Sequence, residues 1–322
     1  MSAVSAWVDG LRRVRRAPAL VILVWLCTLA ASLPPMLAMR DAIINHLDQS
    51  LEADAAADGV NQIWMEEFRG SSGELGKSLR PDVIGFATVL DNTSALADTG
   101  SRPIPAVVAG LVFLGVVWFV TPGVIVRLAA DRPVHARQFL ATCGACSGRM
   151  VRLAIVSAVV YGALFFGLHA TLLDDVFGVV TRDMTVERTA FVVRLALYIV
   201  FFGVVAAVNL LFDFAKVRMV IEDRHSVLGS LSSAIVFISM RPLLAIGVYA
   251  LNVLLLGCVF AAYFLVAPGA GSADWTMWFG LVVSQAYIAA RVFTKLAFWS
   301  GEVAAVQRHC DCREPVREAV IT

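Results

Sequence analysis

The sequence predicts an all-α protein: a polytopic transmembrane helix bundle of about six spans, with a small helical extracytoplasmic domain and amphipathic cytoplasmic connectors. Three observations predict it. Of the 322 residues, 59% are hydrophobic and 16% charged, whereas a soluble globular chain is about half apolar and about a quarter charged. Apolar runs at about 17 to 38, 104 to 126, 151 to 173, 190 to 212, 243 to 266 and 276 to 298 each reach the ~20 residues needed to cross ~30 Å of hydrocarbon. The formal charge of +1 hides an uneven division of basic residues between alternate connecting segments. That balance leaves no basic excess for nucleic acid, and the hydrophobicity excludes a disordered chain.

Residues 1 to 16 form an amphipathic N-terminus whose Arg12, Arg13, Arg15 and Arg16 precede the first span, 17 to 38. A signal peptide begins in the same way. The apolar run from Ala17 to Met39 is nonetheless longer than the ~7 to 15 residues of a signal-peptide core, and no clean small-x-small site precedes polar chain.

Residues 39 to 103 make an acidic helical domain outside the bilayer. Ile43, Ile44, Leu47 and Leu51 recur at helical spacing among Asp41, Asp48, Glu52 and Asp54, predicting an amphipathic helix that leaves the membrane after a Pro34-Pro35 break and ends at Gly59. A second helix near Val60 to Phe68 brings Ile63, Trp64 and Phe68 together, and Gly70, Gly73 and Gly76 mark irregular chain. The domain is either a cap over the bundle or a docking face for a partner, because so short a segment has little core of its own.

Residues 104 to 298 hold the other five spans, and 299 to 322 form a tail. Residues 1 to 16, 127 to 152, 213 to 241 and 291 to 322 contain 18 Lys/Arg; 40 to 104, 174 to 194 and 267 to 275 contain 8. The positive-inside rule then puts both termini in the cytoplasm. Trp275 and Trp278 fit an outer aromatic belt, and Trp299 an inner one. Four of the six cysteines, Cys143, Cys146, Cys310 and Cys312, fall in cytoplasmic segments and none in outer loops, so no extracellular disulfide framework is expected.

The two large cytoplasmic links share a spacing: Arg132 to Arg149 and Arg224 to Arg241 are both 17 residues. Two readings stand. Residues 104 to 173 and 190 to 266 are a parallel duplication, or the match is chance, because basic residues flanking apolar runs are common at cytoplasmic helix ends. Between the arginines or just past them, Phe139, Leu140, Met150 and Val151, and Val227, Leu228, Leu231, Ile235 and Ile238, predict interfacial helices. Arg132, Arg149, Arg224 and Arg241 would then meet phospholipid headgroups, each contributing about 1 kcal/mol near an anionic surface. The plainer reading is that they only set topology.

Pro122-Gly123-Val124-Ile125 leading to Arg127, Asp131 and Arg132, then Gln138-Phe139-Leu140, Arg149, Arg152-Leu153, Asp213 to Arg218 and Glu222-Asp223-Arg224, resemble uncharacterised bacterial six-helix membrane proteins. These in turn resemble the membrane domain attached to some glycerophosphodiester phosphodiesterases. The resemblance spans about 105 to 245, and the chain departs from it in having no phosphodiesterase catalytic domain. It implies a membrane module in a bacterial cytoplasmic membrane, not that enzyme's activity.

Catalytic signatures are absent from the sequence: no Walker A, G-x-S-x-G, H-E-x-x-H or intramembrane Glu-x-x-His pattern. No cofactor is expected. The alternative is zinc or an iron–sulfur centre on Cys143, Cys146, Cys310 and Cys312, set against buried structural thiols. Asn252 and Gln285 lie mid-span in the fifth and sixth spans, placed for an interhelical amide bond. Asp213 lies one turn from Asn209 and from Lys216, at the depth of Arg291 and Lys295, and predicts an ion-pair cluster that either ties two helices or gates a path. Small-residue pairs such as Ala106 and Gly110, or Gly203 and Ala207, predict close helix approach, and Pro122-Gly123 a kink.

Three functional classes follow. The first is a non-catalytic subunit or scaffold of a membrane complex, contacting lipids and a protein partner. A permease-like component for a lipid or small hydrophobic molecule is second. A membrane enzyme is third, needing convergent titratable groups in a pocket.

Overall fold

Hydrocarbon offers no hydrogen-bond partner, so an apolar run must satisfy its backbone within a helix. The computed structural model, which describes residues 2–59, 61–79, 85–100, 104–130, 132–267 and 275–309, is helical through each such run, with no strand among the described residues. The helices are α1 (Ala3–Arg15), α2 (Pro18–Leu47), α3 (Ala53–Ala57), α4 (Gln62–Ser71), α5 (Ala87–Ala97), α6 (Ile104–Ala130), α7 (Ala136–Gly162), α8 (Phe177–Thr181), α9 (Glu187–Ile221), α10 (Val227–Met240), α11 (Pro242–Val266) and α12 (Trp275–Gln307). Two π-helical stretches, Ala163–Leu168 and Thr171–Val176, join α7 to α8 as one helical run. Among the described residues six helices are long and apolar enough to cross a membrane, so this is a multi-pass, all-α membrane protein.

Several expected boundaries move. The helix of the first span does not break at Pro34-Pro35 but continues through both prolines to Leu47; each proline costs one backbone hydrogen bond, which neighbouring turns of a long helix tolerate. The acidic segment then folds as α3, α4 and α5. The two 17-residue links also differ. Residues 136 to 149 are the start of α7, continuous with the next span, whereas α10 is a separate 14-residue helix. Pro242 explains the difference, since it biases Arg241 out of the helical region (φ −140, ψ 56) and begins a new helix; the first link has no proline there.

The chain divides into two compact units. Unit one takes the chain to Arg16, Trp118–Leu251 and the chain from Ala297; unit two takes Ala17–Val117 and Asn252–Leu296.

In unit one, α9 has 35 residues, about 50 Å against ~30 Å of hydrocarbon. Its last turns are core: Leu210, Phe214, Ala215, Val217 and Ile221 pack with Ala234 and Phe237 of α10, Leu244, Ala245 and Val248 of α11, Val303, Ala305 and Val306 of α12, and Ala6 of α1. Helix α10 folds back antiparallel along α9. Val227 and Leu231 lie with Met219, Ser233 faces Arg218, and the Phe237 ring lies 5.3 Å from Phe214. From Leu296 to Val306 α12 is buried on every side. Trp299 is only 3% exposed there, so it is a core residue and not the aromatic-belt residue the sequence predicts.

In unit two, α4 has a core of its own. Asn61 caps it by accepting from the Ile63 and Trp64 amides, and Trp64, Met65 and Phe68 bury against Met39, Ala42, Ile43, Leu47, Ala56 and Leu79. His46 meets Trp64 and Phe68 edge-on, with centroids at 5.9 and 5.4 Å. Burying each such ring is worth about 1.5–3 kcal/mol, enough to hold a short helix. Ile63, expected in this cluster, is instead 66% exposed. Along α2 and the start of α6, Ile22, Leu26, Met36, Val108 and Leu111 are all at least half exposed, as lipid-facing residues are.

Candidate functional site

Asn209, Asp213 and Lys216 are spaced i, i+4, i+7 and therefore share one face of α9. Around that face unit one builds a polar seam. The Asn209 carboxamide accepts from Tyr161 Oη of α7 at 3.3 Å and donates to Tyr249 Oη of α11 at 3.0 Å, bridging three helices. One turn on, the fully buried Asp213 accepts from Lys216 Nζ at 2.7 Å, and the ammonium sits 4.8 Å from the Trp118 ring centroid of α6. A buried carboxylate is tolerated only when so paired, and the cation over the indole adds attraction.

Below this, α9 ends on a second charged cluster. Asp223 takes a left-handed backbone (φ 48), and the Arg224 amide returns to the Met219 carbonyl at 3.0 Å, the reach-back bond of a Schellman cap. Arg149 of α7 bridges to Asp223 at 2.6 Å and reaches the Arg224 carbonyl at 3.4 Å. Glu222 accepts from Arg218 at 2.6 Å and also from Arg224, while Arg218 donates to the Ser233 carbonyl of α10 at 2.6 Å. Burial alone would raise the Glu222 pKa; the hydrogen bonds and charges of Arg218 and Arg224 outweigh it and hold the carboxyl below its ordinary value.

A third cluster clamps α1. Arg13 donates to the Leu128 carbonyl (3.1 Å), to Gln307 Oε1 (2.7 Å) and to Asp9 (3.1 Å), and Gln307 donates to the Ala129 carbonyl at 3.0 Å. Two of the last-turn carbonyls of α6, those of Leu128 and Ala129, are thus satisfied by α1 and α12. Arg308 pairs with Asp9 at 3.1 Å, and Ser300 Oγ donates to the Gly10 carbonyl at 2.9 Å.

The residues singled out from sequence are placed as follows. Asp213 and Lys216 are together. Arg291 and Lys295 belong to unit two, where Arg291 lies 5.7 Å from the Tyr287 ring centroid and Lys295 is half-buried. In the same unit Gln285 accepts from Trp25 Nε1 of α2 at 3.1 Å, and Asn252 is fully buried. Of the four expected headgroup arginines, Arg149 and Arg224 are engaged within the protein, and Arg132 and Arg241 are exposed. Cys143 and Cys146 are buried thiols, Cys146 Sγ accepting from Arg149 at 3.6 Å. Cys310 and Cys312 lie outside the described residues, among which no group of three or more His, Cys, Asp or Glu is set to hold a metal. The small-residue pairs named from sequence do not make the close approaches: a Cβ on Gly110 or Gly203 would meet nothing within 4 Å. Gly123 does, with a Cβ there falling 2.7 Å from Cys143 Sγ, so it serves contact between α6 and α7 within a continuous helix.

Beside the seam lies an apolar cleft of about 510 Å³, lined by α9, α10 and α11. Sequence reasoning missed the cleft, the two tyrosines and the α1 clamp. The Asp9 to Arg13 spacing was the one available signal for the clamp, since i, i+4 opposite charges share a helix face. No known protein family, curated protein or solved structure matches the chain. Chemically, the seam's carboxylates are held by cations and its amide by two phenols, an arrangement that ties helices together.

Proposed function

We propose that the chain is a non-catalytic integral membrane protein, a subunit or scaffold of a membrane complex in a bacterial cytoplasmic membrane. The observation that carries this reading is the interlocking of unit one. Its charged side chains join α1 to α6 and α12, and α7 to α9 and α10, and so make unit one a stiff platform. Such a platform suits holding a partner in fixed geometry. Exposed Leu228, Ile235 and Met240 on α10 and the basic connecting segments give it a surface to do so.

The bonds from Arg13 to Gln307 and from Arg308 to Asp9 support both termini lying on one face. The 18 to 8 division of Lys/Arg supports that face being the cytoplasm. A permease-like component for a lipid or small hydrophobic molecule is the second reading, favoured by the apolar cleft.

Purification of the full chain from its native membrane in mild detergent, with mass measured under native conditions, tests the proposal. The expected result is a stoichiometric protein partner. A chain recovered alone in every mild detergent that keeps it folded overturns the subunit reading.

A further inference from the structure

We propose that the α9–α10–α11 cleft is a binding site for one anionic phospholipid, with an acyl chain in the cleft and the phosphate at Arg241 and the N-terminus of α11. The cleft's volume, about 510 Å³, falls in the ~300–1,000 Å³ range of ordinary small-molecule sites. Gly203, Ala206 and Ala207 of α9 form its floor, and Leu210, Ile235 and Ile246 are among its walls. The small residues create the space: a Cβ built on Gly203 has nothing within 4 Å.

The polar groups in the lining are already satisfied within the protein. Ser239 Oγ donates to the Val236 carbonyl at 3.0 Å, and Tyr249 Oη accepts from Asn209 at 3.0 Å. The interior therefore asks nothing polar of its occupant. Two of its three walls, α9 and α11, are helices of membrane-spanning length and hydropathy, so the apolar molecule at highest local concentration is a lipid chain.

The headgroup end is set by charge. Arg241 stands in the elbow between α10 and α11, within one turn of the lining residues Ile238 and Ser239. Its guanidinium is exposed and has no carboxylate partner among the described residues. Glu222 and Asp223 lie beyond the other end of α10, whose 14 residues span about 20 Å. Pro242, which carries no amide hydrogen, opens α11, and the Leu244 and Ala245 amides already donate to the Arg241 carbonyl at 3.2 and 3.1 Å, so the end of this 25-residue helix adds its dipole, and not free amides, to the Arg241 charge that favours an anion there. Net negative headgroups are preferred over zwitterionic ones because the latter bring their own competing cation. The site does not depend on the subunit reading, since a lone protein can hold a lipid and a complex can lack one.

The test uses the full chain, delipidated in detergent, then given phosphatidylglycerol or phosphatidylcholine of equal chain length, with bound lipid counted by native mass spectrometry and unfolding temperature recorded. Wild type should retain one phosphatidylglycerol and be stabilised by it more than by phosphatidylcholine. R241Q, on an exposed side chain, should lower phosphatidylglycerol affinity about tenfold, the loss of one charge-assisted contact. G203L, which places a side chain in open space, should abolish retention of both lipids while leaving the detergent-solubilised fold as stable as wild type. Equal binding of both lipids, R241Q indistinguishable from wild type, or lipid retained by G203L overturns the proposal. So does full stabilisation by water-soluble glycerophosphate, or a polypeptide found in the cleft instead of lipid. If G203L unfolds, R241Q and the lipid comparison still decide.

Discussion

Gly10 of α1 meets Gly301 of α12 backbone to backbone: a Cβ added at Gly10 would fall 2.7 Å from the Gly301 nitrogen and 2.8 Å from its Cα. Real Cβ atoms essentially never come that close to another heavy atom, so any side chain at Gly10 must push the two helices apart. The same two helices are joined there by the Ser300 hydroxyl on the Gly10 carbonyl.

Gly10→Ala should therefore destabilise unit one by about 1–3 kcal/mol, the usual cost of overpacking, partly offset by the up to ~1 kcal/mol that alanine gains in a helix. Gly110→Ala, where a Cβ meets nothing, should be neutral or mildly stabilising. Thermal unfolding of both variants in one detergent compares them. Equal melting temperatures would show that the α1–α12 contact is not as described.

Asp213 and Lys216 should behave as a buried pair. Asp213→Ala strands the Lys216 ammonium and should cost about 3–5 kcal/mol, while the double change Asp213→Ala with Lys216→Met should recover much of that loss. A double-mutant cycle on unfolding free energy measures the coupling. Strict additivity would mean that the carboxylate is held by other partners.

Glu222 makes a pH prediction. Its folded pKa lies below the ordinary value, so its ion pairs contribute fully above the unfolded pKa of about 4.3. The contribution is lost as pH falls below that value toward the folded pKa, because the unfolded chain takes up the proton first. E222Q lacks the contribution at every pH. The stability gap between wild type and E222Q should be largest near neutral pH and close under acid; a gap that widens as pH falls from about 5 to 3 would reverse the assigned sign.

The six apolar helices were legible because length and hydropathy decide them, and Pro242 announced the start of α11. Three things were not legible, each for a physical reason. Local propensity predicts a break at Pro34-Pro35, but a long helix absorbs two missing donors. The overrun of α9 to Ile221 and of α12 to Gln307 is paid for by packing between distant segments, such as Phe214 on Phe237. Rotational phase was invisible as well: depth along a helix does not say that Gln285 meets Trp25 or that Asn209 bridges Tyr161 and Tyr249. The cleft is the residue of that phase, since Gly203 and Ala207, read as contact points, face open space.

In the proposed scaffold both ends of the chain are clamped together on the cytoplasmic face, and labelling by a membrane-impermeant thiol reagent reads their sidedness. In a chain whose six native cysteines are replaced by serine, single cysteines are introduced as Ser2→Cys, Arg308→Cys and Glu74→Cys. In intact cells the Glu74 position should be labelled, while the Ser2 and Arg308 positions should react only after permeabilisation. Labelling of either terminal position in intact cells, or different behaviour at the two ends, contradicts it.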